Sequence, residues 1–294
     1  MNRPAAAAGD QTTEATGDPV IVAAGDIACA TANATPEPDE GPAVCHQSAT
    51  AKLIVALRPV AVLTLGDEQY PDATLDQFNS GYDKTWGAFK DITRPVPGNH
   101  EYHTPHAAGY FGYFGKAAGD PGMGYYSFDL PGWHLIALNA NCSAVGGCGP
   151  GSAEVQWLKK DLAAHHAACT LAFWHQPRFS SAKHHSDPTY DAFWRTLYTA
   201  HADVVLGGHD HDYERFAPQT PDAKADAAGI TEFVVGTGGR SHYAFGATEP
   251  NSVVRNQVTF GVLALTLHPH SFDWRFIPEA GSTFTDAGSA RCHG

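Results

Sequence analysis

Five short segments of this 294-residue chain carry side chains suited to holding cations: Gly25-Asp26, Gly66-Asp67-Glu68-Gln69-Tyr70, Gly98-Asn99-His100-Glu101, the lone His175, and Gly208-His209-Asp210-His211. Taken singly they say little, because Gly-Asp is an ordinary turn and a histidine after an apolar run is usually a satisfied core or edge residue. Together they supply carboxylate, amide oxygen and imidazole, a hard-to-borderline donor set that suits two adjacent metal ions. In an extended segment alternate residues point to the same side, so His209 and His211 can converge on neighbouring metals. A metal pair of this kind activates water and clamps the attacking and leaving oxygens of a displacement at phosphorus. Hydrolysis of a phosphate ester is the chemistry to expect.

Each segment follows a short apolar run that reads as a strand. Residues 20–24 enter Gly25-Asp26, 60–65 enter Gly66-Asp67, 94–97 enter Gly98-Asn99, 171–174 enter His175, and 204–206 enter Gly207-Gly208. Residues 48–57 form a crossover helix that Pro59 ends. A second helix is expected over 152–166, with Val155, Leu158 and Leu162 on one face and Glu154 near its positive end. Residues 125–130 and 133–139, joined by Pro-Gly, make an antiparallel hairpin, and 232–235, 258–267 and 271–277 close the chain as strands. The fold class predicted is α/β, with two mixed sheets face to face, helices outside, and functional loops at strand C-termini. Residues 1–18 read as a disordered leader and 19–294 as a single domain, since no repeat, heptad or linker interrupts them.

The five blocks, in this order from Gly25 to His211, resemble the calcineurin-type metallophosphoesterases and, within them, the purple acid phosphatases. Most metallophosphoesterases carry Asp-x-His in the first block, where this chain has Asp26-Ile27-Ala28. Its second block instead reads Gly-Asp-x-x-Tyr, with Tyr70 three residues after Asp67, which is the exchange the purple acid phosphatases make. The resemblance weakens in the C-terminal third. It implies an α/β/β/α sandwich and a phosphate monoesterase whose nucleophile is a hydroxide held by the metals. It also implies that Asp26, Asp67, Tyr70 and His211 hold Fe³⁺ while Asp67, Asn99, His175 and His209 hold Zn²⁺, Fe²⁺ or Mn²⁺. A phenol with an ordinary pKa of about 10 ionises at neutral pH only on a strongly Lewis-acidic centre, which favours the ferric ion.

A leaving alkoxide needs a proton, and the candidates are His100 and the pair His184-His185, nine and ten residues after His175. Glu101 is expected to orient His100, as carboxylates do for histidines at metal sites. Arg178 and Arg240 are candidate phosphate contacts, with Tyr213 and Tyr243 expected at the mouth. Gly236-Thr237-Gly238-Gly239 opens no predicted helix and reads as a close-approach loop, not a nucleotide cradle. A phosphodiesterase of the same superfamily, or a metal- or phosphate-binding protein without turnover, are the alternative readings. Plant-type purple acid phosphatases have a further N-terminal β domain, for which the stretch before Asp26 is expected to be too short.

The chain carries 31 acidic against 18 basic side chains, a formal charge of −13, which excludes coating nucleic acid by bulk charge. Locally the sign reverses, because the two ions bring more positive charge than Asp26, Asp67 and an ionised Tyr70 cancel. A small phosphate ester is therefore the expected partner. The longest apolar runs fall well short of the roughly 18 residues a membrane helix needs. Six cysteines without CxxC spacing favour disulfides, for which fifteen pairings are possible. Nearest neighbours plus a C-terminal tie give Cys29–Cys45, Cys142–Cys148 and Cys169–Cys292, and with them a secreted or periplasmic location. The first 19 residues lack the apolar core of a signal peptide.

Overall fold

The computed structural model describes residues 17–29 and 45–294. Strands β1 (Val20–Ala24), β2 (Ala61–Leu65) and β3 (Thr93–Val96) run parallel, and helix α1 (Gln47–Leu57) crosses from the first to the second. Every residue of β2 is buried, as expected of an apolar strand covered on both faces. The chain returns to this sheet at its end, where β11 (Gly261–His268), β12 (Ser271–Pro278) and β13 (Ala287–Arg291) add antiparallel in the order β13-β12-β11-β1-β2-β3.

A second sheet takes the middle of the chain. Its parallel centre is β5 (Trp133–Ala137), β6 (Cys169–Phe173), β7 (Val204–Gly207) and β9 (Thr231–Val235). The antiparallel flanks are β4 (Tyr126–Leu130) on one side, and β8 (Tyr213–Phe216) with β10 (Ser252–Asn256) on the other. Alternation along β5, β6 and β7 divides the core in two. Leu135, Leu171, Phe173 and Leu206 face the first sheet, while Ile136, Ala172, Val205 and Trp174 face outward under α4 (Ala153–Ala164) and α5 (Asp191–Thr199). Those helices present Val155, Leu158, Phe193, Trp194 and Leu197 in return. On the first sheet's side, Ile54 of α1, Phe78 of the short α2 (Leu75–Ser80), Tyr82 just after it and Tyr110 of α3 (Ala108–Phe114) belong to the same core. The layering is the α/β/β/α arrangement predicted.

All three expected disulfides form, with Cα separations of 5.7 Å for Cys29–Cys45, 5.1 Å for Cys142–Cys148 and 5.3 Å for Cys169–Cys292. The expected leader falls outside the described residues up to 16, but Asp18 is held by His268, with Oδ2 to Nδ1 at 2.5 Å. The strand expected from 258 begins at Gly261, leaving Val258 74% exposed in the preceding turn. Strands β8, β10 and β13 and helices α2, α3 and α5 have no counterpart in the sequence reading. β10 and β13 are half-exposed edge strands of mixed polarity, and α3 has two glycines among its aromatics.

Glu154 lies in the first turn of α4, after the Ser152 cap, but not in the exposed setting a helix-dipole role implies. Its buried carboxyl accepts the Asn139 N–H at 2.7 Å, and burial pushes it up to about 8. Folding therefore opposes its ionisation. The stability it contributes is full below its ordinary value near 4.5 and is lost as pH rises through about 8. Glu154→Gln keeps an acceptor for Asn139, so the variant is expected to gain stability over the wild type at pH 8 and little at pH 5. Urea unfolding at both pH values checks this, and a gain equal at the two refutes it.

Candidate metal centre

Hydrogen bonds stitch the two sheets together where their parallel strands end. Gly25 N–H donates to the Val235 carbonyl at 2.9 Å, joining β1 to β9. The His175 ring, just after β6, donates from Nδ1 to the Leu65 carbonyl of β2 at 2.7 Å. The loops after β1, β2, β3, β6 and β7 therefore meet in one place. Asp26, Asp67 and His209 each adopt a positive φ, of 60°, 47° and 67°, uncommon for residues other than glycine. Strain of this kind concentrates at functional sites.

Tyr70 stands at the centre of one group. Its hydroxyl lies 3.0 Å from Asp26 Oδ1, 3.0 Å from Asp67 Oδ2 and 3.0 Å from His211 Nε2, and all four residues are at most 2% exposed. Asp26 Oδ1 and His211 Nε2 are 3.2 Å apart. The other His211 nitrogen, Nδ1, bonds Ser241 Oγ at 2.7 Å, which aims Nε2 inward. Asp26 spends its second oxygen on the His209 N–H, at 2.9 Å.

The second group shares Asp67. Ligand atoms of Asp67, His175 and His209 all lie within 4.8 Å of one another. Because Nδ1 of His175 is committed to a carbonyl, Nε2 is the nitrogen presented to the site, 3.3 Å from Asp67 Oδ2. That nitrogen and Asn99 Oδ1 are buried without a hydrogen-bond partner among the described residues, a condition costing about 1–3 kcal/mol per group unless something else occupies them. Burial disfavours charge on His175, but Asp67 outweighs it and holds the ring up at about 9. Burial likewise opposes the Asp67 carboxylate, and His175 and His100 overcome it, keeping Asp67 well below the usual range. His209 is pushed well below its ordinary value by burial and by His175 and His184, so it stays neutral and keeps a lone pair.

Glu101 does not orient His100. Its Oε2 accepts the backbone N–H of Asp67 at 2.9 Å and of Gly98 at 2.7 Å, and Oε1 accepts that of Gln69 at 3.4 Å. The tight strand-end turns would otherwise leave these amides buried and unpaired. Burial and the neighbouring Asp67 push Glu101 up to about 7. His100 instead donates from Nδ1 to the Pro71 carbonyl at 2.6 Å, placing Nε2 3.9 Å from Asp67 Oδ2. His103, absent from the sequence reading, packs on the His100 ring at 4.5 Å.

The remaining candidates divide. Arg240 is 3% exposed, with its guanidinium carbon 5.1 Å from the centre of the Tyr70 ring. Tyr243 stacks on His211 at 4.1 Å, whereas Tyr213 lies inside the fold with its hydroxyl on Asp286 at 2.7 Å and takes no place at the mouth. Arg178 turns towards α5, its guanidinium over Phe179 and 3.5 Å from Asp191, away from the cluster. His184 stacks on His209 at 4.1 Å and bonds Asp210 Oδ1 through Nδ1 at 2.9 Å. His185 is exposed, at φ 62°, beside Gly246. Nothing in the sequence marks Asp210, because the alternation that turns His209 and His211 inward sends the residue between them the other way. Burial raises its carboxyl, and hydrogen bonds from His184 and Ser180 outweigh this and bring it below the ordinary range.

The family model for calcineurin-like phosphoesterases matches residues 19–213. Purple acid phosphatase 15 of Arabidopsis thaliana is 28% identical over 218 residues, or 62% of this chain and 40% of the relative. The Fe(3+)-Zn(2+) purple acid phosphatase 12 of the same plant is 28% identical over 188 residues, 53% of this chain and 37% of the relative. The chain thus spans about 40% of the length of these curated relatives. A purple acid phosphatase from yellow lupin (Lupinus luteus) seeds shares the fold, with a TM-score of 0.72 at 18% identity over 93% of this chain and 53% of that one.

Close approach at Gly66 offers a test of the geometry. Its φ is +82°, and a methyl group there would lie 2.5 Å from His175 Nδ1. Gly66→Ala is expected to displace the ring and weaken Zn²⁺ binding about 10-fold or more, measured by equilibrium dialysis. Binding equal to that of the wild type contradicts a ligand role for His175.

Proposed function

Because the chain belongs to the calcineurin-like phosphoesterase family, we propose that residues 19–294 form one catalytic domain that hydrolyses small phosphate monoesters at a two-metal centre. The observation that carries this reading is the buried convergence of Asp26, Asp67 and His211 on the Tyr70 hydroxyl at 3.0 Å. Oxygen-rich with one phenol, that group suits Fe³⁺, and Asp26, Asp67, Tyr70 and His211 would hold it. Asp67, Asn99, His175 and His209 would hold a divalent ion, Zn²⁺, Fe²⁺ or Mn²⁺, with Asp67 shared. The two unpaired buried atoms, Asn99 Oδ1 and His175 Nε2, support the second set. Bound there, the ions supply Lewis acidity towards a phosphoryl group and towards water.

The chain's own groups do the rest. Arg240, packed over Tyr70, offers planar charge-assisted donors to a phosphoryl oxygen. His100, fixed by the Pro71 carbonyl, keeps its Nε2 on the Asp67 side of the site, where it steadies the bound phosphate. His184, stacked on His209, would give the leaving oxygen a proton. His185 and Arg178 have no part in this reading, since their side chains lie against other segments. Three disulfides support export to an oxidising compartment, and no helix among the described residues is long and apolar enough to cross a membrane.

The preparation with both metals is expected to show a visible tyrosinate-to-Fe³⁺ band that Tyr70→Phe abolishes. Turnover of phosphate monoesters should exceed that of diesters. A colourless, iron-free preparation with full turnover contradicts the ferric assignment, and turnover of diesters alone contradicts the monoesterase reading.

A further inference from the structure

We propose that Asn141 is a positioning residue for the divalent ion's site. Its side-chain amide, delivered from the second sheet, grips the turn that carries Asn99 and so sets the affinity of that site while leaving the ferric one alone. The inference rests on the two-metal reading above and deepens it. Among the candidate ligands Asn99 alone follows β3, and the others follow β1, β2, β6 and β7. What holds the 97–99 turn therefore acts on the metals chiefly through Asn99.

That turn is held from two sides. On its N–H side the acceptors belong to loops of the first sheet, with Gly98 N–H on Glu101 Oε2 at 2.7 Å and His100 N–H on Asp67 Oδ1 at 2.9 Å. On its carbonyl side Asn141 Nδ2 donates to the Pro97 oxygen at 3.1 Å and to the Gly98 oxygen at 3.2 Å. These are the two carbonyls that immediately precede Asn99. Asn141 comes shortly after β5, so its amide ties the end of one sheet to the end of the other. Asn99 Oδ1 has no hydrogen-bond partner among the described residues, so its aim depends on the turn that bears it.

Asn141 is itself fixed. Asn139 Oδ1 accepts its backbone N–H at 3.0 Å and also lies 3.1 Å from its Nδ2, whose two hydrogens are shared among three oxygens. Asn139 is wholly buried and spends its own Nδ2 on the Tyr102 hydroxyl and the Met123 carbonyl, each at 2.8 Å. Tyr102 stands three residues after Asn99, so the two amides hold the chain on both sides of Asn99-His100. The Cys142–Cys148 bridge closes the loop directly behind Asn141. A neutral amide suits the post, because it offers two donors to carbonyl oxygens without adding positive charge beside a cation. Removing outer contacts of this kind lowers metal affinity about 10- to 100-fold.

The test measures Zn²⁺ affinity by equilibrium dialysis on the iron-loaded wild type, Asn141→Ala, Asn99→Ala and the double variant, with iron content and the visible band read on the same samples. Asn141→Ala is expected to weaken Zn²⁺ binding about 10-fold or more while iron content and the band stay at wild-type values. The double variant should bind Zn²⁺ no more weakly than Asn99→Ala, because Asn141 works through that ligand. If Asn141→Ala does not fold, Asn141→Leu fills the same space without donors and carries the same expectations. Zn²⁺ affinity equal to that of the wild type, loss of iron along with Zn²⁺, or an additive loss in the double variant overturns the proposal while leaving a two-metal centre in place. A wild type that takes up only one ion overturns the two-metal reading and this role with it.

Discussion

Two buried carboxylates, Asp26 and Asp67, face the same phenol oxygen at 3.0 Å, and the rest of the molecule is arranged around that contact. Each lies 3.0 Å from the one oxygen, so the two are at most about 6 Å apart, and like charges at that separation repel by about 3 kcal/mol or more at an effective dielectric of about 20, a sizeable fraction of a stability of about 5–15 kcal/mol. Positive charge has to sit among them. The donor set assembled there is of the kind that takes metal ions. Holding ligands from opposite sheets in register needs rigid supports. These are the parallel strands buried on both faces, the Gly25–Val235 and His175–Leu65 bonds that join the sheets, and Glu101, which pins three backbone amides at once.

Close packing explains the glycines before the ligands. A methyl group at Gly98 would stand 2.1 Å from Asp67 Oδ1, and one at Gly66 would enter the His175 ring. The candidate ligands arrive on turns so tight that three of them take a positive φ. Such turns are costly in backbone strain, and the cost is offset by the hydrogen bonds that fix each side chain's second atom: Asp26 to His209 N–H, Asp67 to His100 N–H, His211 to Ser241. Asp26, Asp67 and His211 are thus each held by the scaffold as well as by the cluster.

What the sequence reveals follows from which physics is local. The parallel strands are legible because Val, Ile and Leu run unbroken into Gly-Asp or Gly-His, and the candidate ligands follow from position alone. The disulfides are legible too, as neighbours in the chain and a tie at its end. The directions of long side chains are not. Arg178 and Arg240 look equivalent in sequence, yet one turns to Asp191 and the other lies on Tyr70, because contacts distant in the chain decide between them. Glu101 looks like a partner for the adjacent His100, but backbone amides of its own turn and of the turn after β2 claim it. Tyr213 follows a site histidine and is still drawn inward by Asp286. β8 escapes notice because Glu214, buried on Ser181 and Ser252, breaks its apolar alternation.

The central claim is that Asp67 is the shared ligand of two metal ions. Metal content per chain, determined by mass spectrometry on the purified wild type and on Asp67→Asn, tests it most directly. The wild type should carry two ions and the variant should lose both, because the amide cannot supply the bridging charge. A variant that keeps both ions, or a wild type that binds no more than one at metal excess, contradicts the account.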